Sequence, residues 1–250
     1  KALSACPMLV EGVFALRDDL TQSSRDDDTF LGVPISLGKL KRLVMTGLQP
    51  RSSVMIVGKL DLPALEDLTL GGIVDTLLGS TPGVDGDGIV RPWITKYAWG
   101  LRRMTLGSMS LGRASLVWVL RELKSVVYLG LLRWGSVFDD EIIEMLTPQA
   151  RNPHCFCPVL EEIVVRPTYE PEGALIMHGS VAAVLDFILG RRSCFSERLI
   201  KRVEWGMNEE MFEELNEILH YGLGDQVQDD VDLRGLVLSG VMPDPYSEAL

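Results

Sequence analysis

The sequence predicts an α/β solenoid: a curved parallel sheet of short stacked repeats, with helices and loops on its convex side. Three observations predict it. An apolar motif with the form of a short strand recurs about eight times along the 250 residues. Segments with helical spacing and helix-end signals lie between several copies. The chain is 46% hydrophobic and 24% charged, enough for a large interior, yet no single copy can bury its apolar face without neighbours.

The motif is Leu-x-x-Leu-x-Leu, with other apolar residues allowed at the Leu positions. A weak copy comes first, Leu9-Val-Glu-Gly12-Val-Phe14, with Gly12 where an apolar residue is expected. Then follow Leu40 to Met45, Leu65 to Leu70, Leu101 to Leu106 and Leu123 to Tyr128. Leu160 to Val165, Ile200 to Trp205 and Leu233 to Leu238 complete the series. The last four residues of each copy alternate in polarity, the signature of a half-buried strand. Three copies share a Pro-x-Leu lead-in, at Pro7, Pro63 and Pro158. Successive first positions are 31, 25, 36, 22, 37, 40 and 33 residues apart. That is longer and less even than the ~20–29 of regular leucine-rich repeats. The Asn expected eight residues past the first Leu occurs once, at Asn208. The reading is one irregular leucine-rich-repeat array over residues 1–250.

The connecting segments fit in turn. Ser115 to Leu123 is expected as a short helix leading into the next strand. Phe138 to Leu146 starts with acidic residues and stops before Pro148, as a helix should. Ser180 to Leu189 has Ser180 as N-cap and Gly190 at its exit. Asn208 to Leu219 carries Met211, Phe212, Leu215, Ile218 and Leu219 at helical spacing, capped by Asn208 and followed by Gly222. Residues 21–29 and 79–88 are polar or rich in turn formers and are expected as loops.

Composition excludes some classes. The net charge is −11, whereas nucleic acid is bound by Lys and Arg neutralising phosphates. The longest basic run is Lys39-Leu40-Lys41-Arg42, so neither nucleic acid nor an anionic membrane is an expected partner. No apolar stretch approaches the ~20 residues of a membrane span. Four cysteines do not make a disulfide framework. A cytoplasmic or nuclear location is expected. The sequence opens without Met and already inside a motif, and reads as a fragment.

Cys157 to Ile163 (Cys-Pro-Val-Leu-Glu-Glu-Ile), the copy ending at Leu70, and Val184 to Ser193 with its Arg-Arg-Ser end together resemble the repeat region of fungal F-box proteins. The resemblance runs along essentially the whole chain. It implies an F-box upstream of Lys1 that docks on the adaptor of a cullin ubiquitin ligase, and repeats that hold the substrate protein.

In such an array the concave sheet face is expected to bind the partner. Its central row is expected to be Val44, Thr69, Thr105, Val127, Val164, Glu204 and Val237. The row beside it is Arg42, Asp67, Arg103, Ser125, Glu162, Arg202 and Gly235. With strands ~4.8 Å apart the rows span roughly 35 Å, a length suited to a protein or peptide. The alternating Arg and Asp or Glu of the second row read either as cross-strand charge pairing on a solvated face or as a partner surface. The nine acidic residues between Met207 and Asp232 read as the wet side of a helix or a dock for a basic partner.

Other motifs fall short of chemistry. His154-Cys-Phe-Cys157 lacks the second ligand pair that zinc needs. Asp85-Gly-Asp-Gly88 lacks the terminal Glu of a calcium loop, Ile94 standing there. Gly107 to Gly112 is not a nucleophile elbow, since no Gly stands two before Ser110. His154, His178 and His220 have no evident nucleophile partner. No catalytic residue, cofactor or metal is expected. The expected function is protein binding, with two alternatives: an α/β enzyme on a doubly wound sheet, whose strands would be shuffled about a switch point, and a purely structural piece.

Overall fold

The computed structural model describes residues 6–16, 34–72, 86–107, 111–134, 138–148, 155–167, 179–194, 199–207, 209–219 and 237–241. The chain is α/β and divides into two compact units, 1–125 and 126–250.

The first unit contains β1 (Glu11–Ala15), β2 (Ile35–Ser36), β3 (Arg42–Leu48), α1 (Pro50–Lys59), β4 (Leu60–Asp61), β5 (Asp67–Gly72), α2 (Gly86–Tyr97), β6 (Arg103–Gly107) and α3 (Arg113–Glu122). Strands β1, β3, β5 and β6 pair in that order, all parallel. β2 and β4 form a separate parallel pair. Alternation turns Leu43, Met45, Leu68, Leu70, Met104 and Leu106 inward, each at most 3% exposed.

β3, β5 and β6 are each entered through the same turn. The amide of Leu40 donates to the Leu37 carbonyl at 3.1 Å, that of Leu65 to Leu62 at 3.2 Å, and that of Leu101 to Ala98 at 3.3 Å. Two successive amides then share one carbonyl of the preceding copy. Lys41 and Arg42 donate to Val10, Glu66 and Asp67 to Lys41, and Arg102 and Arg103 to Glu66. Leu37, Leu62 and Ala98 are themselves buried. The repeat therefore has a fourth apolar position, three residues before the first Leu.

Two helices here go beyond the sequence expectations. α1 begins with Pro50 at its first position, and the Ser52 hydroxyl accepts the Gln49 amide at 3.1 Å. α2 includes Gly86 to Gly88, expected as loop. Each glycine costs about 1 kcal/mol in a helix, but the helix buries Ile89, Val90, Trp93, Ile94 and Tyr97, worth more than that by area. Trp93 Nε1 donates to Ser53 Oγ at 2.9 Å, and Ser53 donates on to the Ile89 carbonyl at 2.7 Å. That chain ties α2 to α1.

The second unit contains β7 (Tyr128–Trp134), α4 (Asp140–Leu146), β8 (Glu162–Pro167), α5 (Val181–Cys194), β9 (Arg202–Met207), α6 (Glu209–Glu217) and β10 (Val237–Val241). Strands β7, β8, β9 and β10 pair in that order, again parallel. Phe138, Phe187 and Trp205 make its aromatic centre, with ring centroids 5.5 Å apart for Phe138–Trp205 and 6.3 Å for Phe187–Trp205. Asp139 caps α4 by accepting the Ile142 amide at 3.1 Å, and Ser180 Oγ accepts the Ala183 amide at the start of α5.

Three expectations are corrected here. The copy read from Leu123 starts instead at Val126, because Tyr128 pairs with Glu162 and Gly130 with Val164. Leu123 is the buried fourth apolar position, which a three-position motif cannot tell from the first. The spacings on either side become 25 and 34 instead of 22 and 37. In the last copy, Val237 pairs with Arg202 and Ser239 with Glu204, two residues off the expected register. A shift of two preserves the face, so polarity alone does not fix it. Third, α5 runs through Gly190 to Cys194 instead of ending there. A Cβ on Gly190 would lie 2.8 Å from the Pro148 carbonyl, so this glycine permits a close approach.

Within each unit the described strands keep chain order, with no reversal of the kind that creates a switch point in doubly wound sheets. Among the described residues no helix is long and apolar enough to cross a membrane. The expected loop at 21–29, residues 79–85, Ser110, Asn208, Gly222, Gly235, the acidic stretch from 220 to 232 and all three histidines lie outside the described residues.

Candidate protein-binding face

Alternation that sends one set of strand side chains into the core leaves the other set on the opposite face. In the first unit that face carries two rows in register. Glu11, Arg42, Asp67 and Arg103 form one, and Val13, Val44, Thr69 and Thr105 the other. All are exposed or half-exposed, Val13 at 75%. The expected residues Arg42, Val44, Asp67, Thr69, Arg103 and Thr105 are therefore brought together, with Glu11 and Val13 added at the β1 edge.

Charge pairing runs across this face. Asp67 lies 3.6 Å from Arg42 and 3.7 Å from Arg103. Burial pushes the Asp67 carboxyl above its usual range, although both arginines pull it down. Beside it, Lys41 Nζ meets Glu66 at 3.3 Å.

In the second unit, Glu162 pairs with Arg202 and Val164 with Glu204. Glu204 accepts from Arg166 Nε at 2.6 Å and Arg202 Nη2 at 2.7 Å. Two expected contributors are displaced. Ser125 and Val127 lie in the lead-in turn, and Tyr128 and Gly130 take their register positions. Val164 keeps its register position but is only 3% exposed, so it offers a partner almost no surface. Its neighbours are Gly130, which has no side chain, and Glu204, drawn toward two arginines.

A second surface escaped the sequence reading. On the helical side of the first unit, residues that include Ile94, Ala98, Trp99, Trp118, Glu122 and Ser125 line an open cleft of about 510 Å³. Trp99 is 73% exposed. The signal was present, since Trp99 sits two residues before a first Leu, where other copies carry Pro7, Gly38, Pro63 and Pro158. No repeat needs a large apolar residue there. Arg91 stacks over Trp118 at 4.6 Å.

Cys157 is buried, has φ of 48° and belongs to the lead-in turn, its carbonyl accepting the Leu160 amide at 3.0 Å. Burial pushes its thiol up to about 12, which suits a structural residue better than a nucleophile. Among the described residues no cluster of three or more His, Cys, Asp or Glu is arranged to hold a metal. Gly86 to Gly88 open a helix, and Asp87 accepts from Ser115 Oγ at 2.5 Å. Comparison with protein-family models, curated proteins and solved structures found no match to this chain.

Proposed function

We propose that the chain is a protein-binding module built as an irregular leucine-rich-repeat solenoid, with the open sheet face as its docking surface. One observation carries this reading. Successive strands follow chain order in register, so in the first unit the outward positions of separate copies line up as exposed or half-exposed rows. A row of side chains along a parallel sheet matches an extended partner better than a small substrate. The absence of a switch point in either run of described strands favours this over the doubly wound enzyme.

The more specific form is the substrate-recognition half of an F-box ubiquitin-ligase receptor, acting in the cytoplasm or nucleus. Its support is the resemblance of the Cys157 to Ile163, Leu65 to Leu70 and Val184 to Ser193 segments. A photo-crosslinking residue placed at Thr69, and separately at Val54 on the helical side, tests the face. Discrete protein adducts at Thr69 and not at Val54 are expected; equal labelling defeats it. Co-purification of the natural full-length chain with a cullin adaptor tests the ligase role, and failure leaves a binding module alone.

A further inference from the structure

We propose that the outer edge of β1 takes an extended segment of a partner protein as an additional parallel strand. The segment carries a basic residue followed by three apolar ones, set against Glu11, Gly12, Val13 and Phe14. The contact is made by backbone at the edge of the sheet and goes beyond binding on the open face.

The backbone sets the site. The Val10 carbonyl accepts from Lys41 and Arg42, and the Leu16 amide donates to the Thr46 carbonyl. Those groups face β3. Residues in a strand bond to its two sides alternately, so Glu11, Val13 and Ala15 turn their amides and carbonyls the other way. β1 stands at the end of the strand order, and no described strand meets them. Such an edge is a template for strand addition. Bare edges are usually blunted by lysine, proline or a bulge; Glu11–Ala15 contains none of these.

The side chains lack the same neighbour. At the register position of Phe14, Met45, Leu70 and Leu106 are at most 3% exposed, yet Phe14 is half-exposed. At the position of Val13, Val44, Thr69 and Thr105 are half-exposed, whereas Val13 is 75% exposed. Inner strands are covered from two sides and β1 from one. Apolar residues opposite Gly12 and Phe14 extend the core, and one opposite Val13 covers it.

Charge selects the residue opposite Glu11. Register neighbours of opposite sign meet across this unit: Lys41 and Glu66 at 3.3 Å, Arg42 and Asp67 at 3.6 Å, Asp67 and Arg103 at 3.7 Å. Glu11 opens the same row and makes no ion pair among the described residues. A basic residue on the incoming strand completes the alternation, and a chain of net charge −11 favours it.

Direction follows from the entry turn. In β3, β5 and β6 two successive amides share one carbonyl of the preceding parallel strand. The Leu9 amide closes the same turn on the Cys6 carbonyl at 3.1 Å. The Val10 and Glu11 amides are thereby placed to share one carbonyl of a parallel strand.

The test is residue-resolved hydrogen exchange on the full chain, with and without a synthetic peptide that has Arg-Leu-Val-Leu between polar flanks. The peptide should slow exchange at Glu11, Val13 and Ala15 about tenfold and leave residues 67–72 unchanged. Glutamate in place of the peptide's arginine should weaken binding about threefold, and Glu11→Lys should reverse that preference. Val13→Pro deletes one outward amide, spares the bonds to β3 and should lower affinity about tenfold. A spin label at the peptide's N-terminus should broaden residues 10 and 11 before residue 15. Unchanged exchange at Glu11 and Val13, indifference to Val13→Pro, or broadening at the opposite end overturns the proposal. So does protection of those amides in the natural full-length chain without peptide, because the edge is then filled by its own chain. Crosslinking at Thr69 reads the open face separately, so either reading can fail alone.

Discussion

Arg191 lies on the buried stripe of α5, after Val184, Phe187 and Ile188, and is 0% exposed. A charge in such a place demands full hydrogen bonding. Its Nε and Nη2 donate to the Leu146 carbonyl at 2.9 and 2.6 Å, Nη2 also to Phe156 at 2.8 Å, and Nη1 to Cys157 at 2.9 Å. Leu146 ends α4, where the helix dipole favours a cation. Burial pulls the guanidinium below its usual range, but an arginine remains charged. Removing it takes donors from three carbonyls, of which that of Cys157 keeps the Leu160 amide, and opens a cavity. Arg191→Ala should therefore cost roughly 3–5 kcal/mol in urea unfolding, and Arg191→Lys about half of that; a loss under 1 kcal/mol would contradict this account.

Tyr97 makes a second residue-scale prediction. Its hydroxyl donates to the Leu60 carbonyl at 2.6 Å, and burial, followed by the charge of Asp61, pushes its pKa to about 12. The folded value is raised above the unfolded one. Below pH 10 both states hold the proton and the stabilisation is intact. Between about 10 and 12 the unfolded chain ionises first, so native stability falls by about 3 kcal/mol in all. The stability advantage of the natural chain over Tyr97→Phe should shrink across that window. A constant difference, followed by urea titration at each pH, would refute it.

At the scale of elements, hydrophobic alternation located the strands, since in-register stacking requires the apolar positions that the motif contains. Helices with caps and acidic starts, such as α4, were legible for the same local reasons. What failed was register and helix extent. Leu123 and Val126 are both buried and three residues apart, so a loose motif fits either one. Several copies mark the lead-in turn with Pro or Gly two residues before the first Leu, but here Lys124 stands two before Val126, so that mark is missing. α2 was hidden because Gly86 to Gly88 read as a turn, and only its packing through Trp93 and Tyr97 favours the helix. Half of the candidate face followed from this: the Arg42, Asp67 and Arg103 register depends on local alternation, whereas the burial of Val164 depends on its neighbours across strands. Gly190 gives the element-scale prediction. Helix propensity alone says that Gly190→Ala stabilises α5 by about 1 kcal/mol. The contacts at 2.8 Å to Pro148 O and 2.9 Å to Thr147 Cγ2 say otherwise. Destabilisation of about 1–3 kcal/mol is expected, the range for overpacking, and a gain in thermal midpoint would show that the α4 end gives way.

At the scale of the whole molecule, pairing in chain order within each unit means that an inner strand draws stability from the neighbours on its two sides. In the first unit β5 lies between β3 and β6, whereas β1 has a described partner only in β3. Its inward positions are weaker as well. Gly12 contributes no side chain, and the Phe14 ring folds back to within 2.7 Å of where a Cβ would stand. Outward, Val13 is 75% and Val10 48% exposed. Hydrogen exchange should read this gradient directly, because protection tracks the free energy of local opening. Amides of residues 11–15 should exchange at least about tenfold faster than those of residues 67–72, a gap of ~1.4 kcal/mol. A partner or a further repeat seated against β1 should slow the first set and leave the second unchanged. Equal protection of both strands in the isolated chain would mean that the first unit opens as one block, and the nearest-neighbour account of its stability would be wrong.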